Sequence, residues 1–161
     1  NKFFSIFKTL DNKYLERIKI FIQCPKEFNK EAILTLSNLK IEFEINEFYN
    51  NIDKILSISD FAITRAGSGT INDLIQYNIP SIIVPLPHSI YNHQYYNAKY
   101  LSDMNGSILM IENDFNVKTN SKIFIDLLFD YQNLEIMKKT LKRIELPDAN
   151  NLMLSKILYE K

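Results

Sequence analysis

The chain has 161 residues, 46% of them hydrophobic and 24% charged, a balance that suits one ordinary globular domain and excludes disordered, collagen-like and coiled-coil chains. Nineteen Lys and Arg offset 19 Asp and Glu to a formal net charge of zero, so no overall field draws in nucleic acid or anionic lipid, and any bound anion must be held locally. The single cysteine, Cys24, excludes an internal disulfide, and no apolar run approaches the ~20 residues that span a bilayer, so a reduced cytoplasmic setting is expected.

The pattern predicts an amphipathic helix from Asn1 to Leu10, carried by Phe3, Phe4, Ile6, Phe7 and Leu10, with neither the charged start nor the apolar core of a signal peptide. Since the first residue is Asn1, the chain is expected to be a piece of something longer. A strand follows over Arg17–Cys24, ended by Pro25; then a helix over Lys26–Leu39 and a strand over Ile41–Ile45. The next elements are a short helix over Asn51–Ser59, a buried strand over Phe61–Thr64, a helix over Gly69–Tyr77 and a buried strand over Ser81–Val84. A helix over His93–Met104 and a strand over Ser107–Ile111 complete the alternation. From Thr119 the pattern is helical, with Pro147 separating the last two helices. Strands alternating with helices imply parallel pairing, an α/β, Rossmann-like doubly wound sheet in one domain spanning 1–161.

In such a sheet, ligands sit beyond the carboxyl ends of the strands, where helix starts direct free N–H groups outward. The candidate loops are those after Cys24, Ile45, Thr64 and Val84. Most of the scarce residues fall between Gly67 and His93, around the last two: Gly67 and Gly69 of the three glycines, both histidines (His88 and His93), and Pro80, Pro85 and Pro87 of the five prolines.

The run from Phe61 to Thr70 reads as a strand, a turn with two glycines bracketing Ser68, and a helix start. The glycines allow close approach to the backbone, and the N–H groups of Gly69, Thr70 and Ile71 are expected at the positive helix end, a place for a diphosphate. The bare pattern fits a tight strand-to-helix turn equally well, since it is neither a P-loop nor a full dinucleotide fingerprint. Asp73, one turn on, suits either a dipole-complementing carboxylate or an acceptor for two ribose hydroxyls. Arg65 suits loop support. After the fourth strand, His88, Asn92, His93, Gln94 and Asn97 gather donors and acceptors suited to sugar hydroxyls, with Asn92 also readable as a helix N-cap. Two histidines five apart, with no Asp or Glu between Asp73 and Asp103, make a poor metal set, and no metal or other cofactor is expected.

The string Arg65 to Leu74, then Ile79-Pro80, Val84 to His88, Asn92-His93-Gln94 and Asn97-Ala98, resembles the carboxyl-terminal donor-binding domain of the MurG family of GT-B glycosyltransferases. The likeness extends upstream to Glu47 through Asn51 and downstream to Leu146-Pro147-Asp148-Ala149. It implies an inverting, metal-independent enzyme that moves GlcNAc from UDP-GlcNAc to lipid I, forming lipid II in peptidoglycan synthesis. By this resemblance the backbone at Tyr49 reads the uracil edge, Ser68, Gly69 and Thr70 line the diphosphate and sugar, and Asp73 stands where the family has a ribose-binding Glu. His93 and Gln94 fall in the GlcNAc and ribose region, with Arg65, Gly67, His88 and Asn97 in support. Asp73 is one methylene shorter than the family's Glu, and Asn92 replaces a frequent Asp.

The resemblance also implies that the amino-terminal half of such an enzyme lies outside this chain. With it go the general base, the lipid-linked acceptor site and the peripheral attachment to the cytoplasmic face of the inner membrane, so no catalytic residue is expected among these 161. The alternatives are a donor subunit of a two-chain UDP-sugar transferase and a non-catalytic nucleotide-sugar-binding module.

Overall fold

A computed structural model describes residues 2–129 and 131–146. The helix and strand order runs α1 (Lys2–Phe7), α2 (Asn12–Leu15), β1 (Lys19–Gln23), α3 (Lys26–Asn38), β2 (Glu42–Asn46), α4 (Ile52–Ser57), β3 (Ala62–Thr64), α5 (Ser68–Gln76), β4 (Ser81–Ile83), α6 (His93–Asp103), β5 (Ser107–Leu109), α7 (Val117–Phe129) and α8 (Tyr131–Leu141). Short 3-10 turns occupy Ile90–Asn92 and Glu112–Asp114. The α/β alternation expected from the sequence is therefore present. The differences lie at element ends and in α2, a four-residue helix too short to leave a periodic signature. Pro147 and the Pro147-Asp148-Ala149 run lie outside the described residues.

Every strand pair is parallel, and the chain divides into two compact units. The first comprises the residues through Phe61 together with Met110–Leu134. Here β1 pairs with β2 in register from Lys19↔Glu42 to Gln23↔Asn46, and Ile6, Phe7, Leu15, Leu36, Phe124 and Leu127 are buried. The Phe124 ring takes Phe7 edge-on at 5.4 Å and Phe61 at 6.2 Å between centroids, offset geometries that suit aromatic quadrupoles.

The second unit comprises Ala62–Leu109 and the residues from Glu135, with strand order β3-β4-β5. Its middle strand, β4, is buried along its length because neighbours flank it on both sides. Ile82 and Ile83 are what such a position demands, while the Ser81 hydroxyl is buried there with no hydrogen-bond partner. Leu74, Ile79, Leu101 and Leu141 are likewise fully buried.

Three helices leave for the next strand by the same device. Lys40 (φ 56°), Asn78 (φ 55°) and Asn105 (φ 60°) follow α3, α5 and α6 in the left-handed region. In each case the next residue's N–H returns to a carbonyl five residues earlier: Ile41 to Leu36 at 3.1 Å, Ile79 to Leu74 at 2.9 Å and Gly106 to Leu101 at 2.9 Å. This is the Schellman closure, which usually places glycine at the left-handed position. Asn tolerates that conformation through its short polar side chain, whereas a lysine there is strained. Lys40→Gly is therefore expected to raise unfolding stability by about 0.5–1.5 kcal/mol, read as a higher urea midpoint at unchanged slope.

Candidate functional site

The carboxyl ends of β3 and β4 lie side by side, with Thr64 in register with Ile83 and the Val84 N–H donating to Thr64 O at 2.8 Å. The loops that follow therefore leave from one edge of the second unit. Their convergence is a consequence of parallel pairing, and both carry the scarce residues singled out by composition.

The first loop is short. Gly67 is the N-cap of α5 at φ −64° and ψ 147°, with no side-chain cap. The helix starts at Ser68, one residue earlier than the sequence pattern indicates, and the Ile71 N–H donates to Gly67 O at 3.0 Å. Ile71 is thus committed to the helix, and the donors without an intrahelical acceptor are the N–H groups of Ser68, Gly69 and Thr70. No glycine of the described chain has positive φ. A Cβ on Gly67 would meet only Thr70 Oγ1 at 3.6 Å, and one on Gly69 would meet nothing within 4 Å. Neither glycine is required by the chain's own conformation or packing. By contrast, a Cβ on Gly106 would lie 2.9 Å from Leu141 Cδ2 and 3.4 Å from the Leu101 carbonyl oxygen, a packing requirement.

The second loop is unusual in its backbone. His88 (φ 63°), Tyr91 (φ 49°) and Asn92 (φ 53°) are all left-handed, conformations that non-glycine residues keep only when their surroundings impose them. Asn92 does occupy the N-cap position of α6, but its side chain makes no cap bond. The left-handed backbone carries Asn92 away from the extended geometry that capping uses. Ser89 Oγ instead accepts the Gln94 N–H at 3.4 Å, taking the capping role that the sequence suggests for Asn92.

Side chains then tie the two loops together. Arg65 directs Nη1 to the carbonyls of Val84 and Pro85, both at 3.2 Å, so loop support describes its geometry. Gln94 Oε1 accepts from the Ala66 N–H at 3.3 Å and the Leu86 N–H at 2.9 Å, and Asn97 Nδ2 donates to Ala66 O at 3.0 Å. Ala66 itself is completely buried. His93 Nδ1 lies 2.7 Å from the Ile90 carbonyl; a carbonyl only accepts, so the proton sits on Nδ1 and Nε2 is the acceptor of the neutral ring. Asp73 is half-buried on α5, one turn beyond the loop.

Tyr49 belongs to the first unit. Its ring is buried and its hydroxyl donates to Glu44 O at 3.1 Å, while burial pushes the phenol pKa up. The Tyr49 side chain is thus taken up by local structure. Among the described residues no three His, Cys, Asp or Glu side chains gather as a metal site, and no helix is long and apolar enough to cross a membrane.

Residues 2–153 match the model of the glycosyltransferase family 28 C-terminal domain. The chain belongs to that family. Among its relatives is the UDP-N-acetylglucosamine--N-acetylmuramyl-(pentapeptide) pyrophosphoryl-undecaprenol N-acetylglucosamine transferase of Wolbachia pipientis subsp. Culex pipiens. It is 32% identical over 158 residues, which cover 97% of this chain and 46% of the relative. The Campylobacter jejuni protein of the same name is 30% identical over 145 residues, covering 90% of this chain and 41% of that one. The chain thus spans about half the length of the curated relatives it matches. Acinetobacter baumannii MurG, known from its crystal structure, superposes with a TM-score of 0.84 at 22% identity over 96% of this chain and 44% of that one, a likeness of fold.

For this family 28 chain, the open space above Gly69 permits a test with opposed signs. Gly69→Ala is expected to stabilise the fold by about 0.5–1 kcal/mol, because alanine replaces glycine at a helical φ with no steric conflict. A ligand seated on the helix start would lose at least about tenfold in affinity through the methyl group in its path. Thermal unfolding and calorimetric titration with UDP on one protein sample read both signs.

Proposed function

We propose that these residues bind UDP-GlcNAc as the donor half of a hexosyltransferase that moves GlcNAc to a lipid-linked acceptor, lipid I, and so forms lipid II of peptidoglycan. The observation that carries this reading is the helix start at Gly67–Thr70. It combines two glycines the fold does not need, clear space above one of them, and three N–H donors without intrahelical acceptors. Such a start suits the two negative phosphates of a nucleoside diphosphate. Membership in family 28 and the shared name of the relatives above support the choice of sugar nucleotide.

In this reading Ser68, Gly69 and Thr70 hold the diphosphate, and Asp73 accepts hydrogen bonds from the ribose hydroxyls. His93 through Nε2 and Gln94 through Nε2 face the GlcNAc and ribose region, with His88 nearby in sequence. The base that takes the acceptor's proton, the acceptor site and the attachment to the cytoplasmic face of the membrane belong to the part of the relatives' length that this chain does not match. No divalent ion is needed for donor binding, because the helix start supplies the positive field that a magnesium bridge would otherwise give.

Calorimetry with UDP tests the reading directly. Binding is expected to be unchanged by EDTA, and Asp73→Ala is expected to weaken UDP by about 1.5–3 kcal/mol, the range for hydrogen bonds to a charged acceptor. Fold stability should fall by no more than about 0.5 kcal/mol, because Asp73 lies beyond the first turn of α5, where the field of the helix end has fallen off. Equal UDP affinity for the wild type and Asp73→Ala would remove Asp73 from the ribose site, and binding abolished by EDTA would overturn the metal-free reading.

A further inference from the structure

Ala66 is the only residue between the loop-bracing Arg65 and the N-cap of α5, and its two backbone polar groups are both taken by one helix. The N–H donates to Gln94 and the C=O accepts from Asn97. Those two side chains are three apart, on one face of α6. With Ala66 fully buried, each of its polar groups would be left without water if released, so the pair is held by the cost of leaving them unmade. Gln94 also holds the Leu86 N–H at 2.9 Å, and Arg65 reaches the carbonyls of Val84 and Pro85 from the opposite loop. The segment between β3 and α5 therefore has its orientation set from α6.

We propose that Gln94 and Asn97 are positioning residues whose grip on Ala66 aims the Ser68, Gly69 and Thr70 N–H groups at the donor's diphosphate. The inference rests on the donor reading above and adds a role that the resemblance does not assign. Rotating the backbone at Ala66 rotates Gly67, and with it the first turn of α5, whose N–H directions carry the anion site. A shift on the order of 1 Å at such donors is enough to degrade binding. Asn97 Nδ2 and Gln94 Oε1 are committed to backbone, so their loss is felt at the phosphates and not only at a sugar.

Two measurements decide it. Amide hydrogen exchange followed by NMR should show Ala66 and Leu86 protected in the wild type and faster by at least about tenfold in Gln94→Ala. Gln94→Glu should keep the protection, because a carboxylate accepts from both N–H groups as the amide oxygen does. Calorimetry should then show Gln94→Ala and Asn97→Ala each weakening UDP by about 3–10-fold, with UDP-GlcNAc weakened by the same factor. The double variant should lose less than the product of the two, since both act on one residue's backbone. Lys99→Ala, which breaks an exposed pair with Asp103 on the same helix, should leave UDP affinity unchanged. Weakening confined to UDP-GlcNAc would assign both side chains to the sugar and overturn the positioning role. Unchanged Ala66 exchange in Gln94→Ala would overturn the clamp itself. A wild-type protein that fails to bind UDP would overturn the donor reading and the proposed target of the N–H groups, while the exchange measurement would still decide whether the clamp exists.

Discussion

Parallel pairing is the constraint from which the site in the second unit follows. Once β3, β4 and β5 run in the same direction, every strand must be followed by a crossover, and every exit from a strand lies at one edge. The helices that begin there present N–H groups without intrahelical acceptors to a common region. Register then brings Thr64 beside Ile83, close enough for Arg65 to reach the carbonyls of Val84 and Pro85. Two loops that a residue-by-residue reading treats separately become a single cross-braced structure.

The distribution of glycine follows from the same division between scaffold and site. Three helix exits require left-handed backbone, and the chain fills those positions with Lys40, Asn78 and Asn105, accepting strain where glycine would relieve it. Gly67 and Gly69 stand at negative φ with room for a methyl group. Glycine is thus absent where the backbone favours it and present where the backbone does not need it. Flexibility of the polypeptide does not account for that placement, whereas the approach of the proposed diphosphate would.

Much of the architecture was legible in the sequence because burial on both faces leaves a plain record. Ser81–Val84 reads as a buried strand, and Ser81-Ile82-Ile83 is one; the helix over Lys26–Leu39 ends a single residue early, at Asn38. The site was legible only as a region. Gly67 and Gly69 stand out by scarcity, Arg65 by its position between strand and helix, and Asp73 only through the family resemblance. The partner of Gln94 and Asn97 does not stand out, because Ala66 carries no functional group and contributes only its backbone. Backbone acceptors have no letter in a sequence. Asn92 shows the converse limit: its residue type promises a helix cap, and its left-handed φ of 53° removes it from that role.

The helices that follow β1 to β4 also differ at their starts in a way that bears on charge. In the first unit α3 carries Glu27 and α4 carries Asp53 in the first turn, each offsetting the positive end of its helix. In the second, neither α5 nor α6 has an acidic residue in its first turn, although Ser89 Oγ accepts the Gln94 N–H at the start of α6. Left alone, each of those helices forgoes a stabilisation of about 0.3–1 kcal/mol for a first-turn carboxylate, and α5 forgoes about 0.5–2 kcal/mol more for a cap. A protein of zero net charge has no general field with which to hold an anion. Leaving two helix starts without an acidic residue beside the same cross-braced loops is a local means to that end. It places the deficit in stability where a bound diphosphate would make it good.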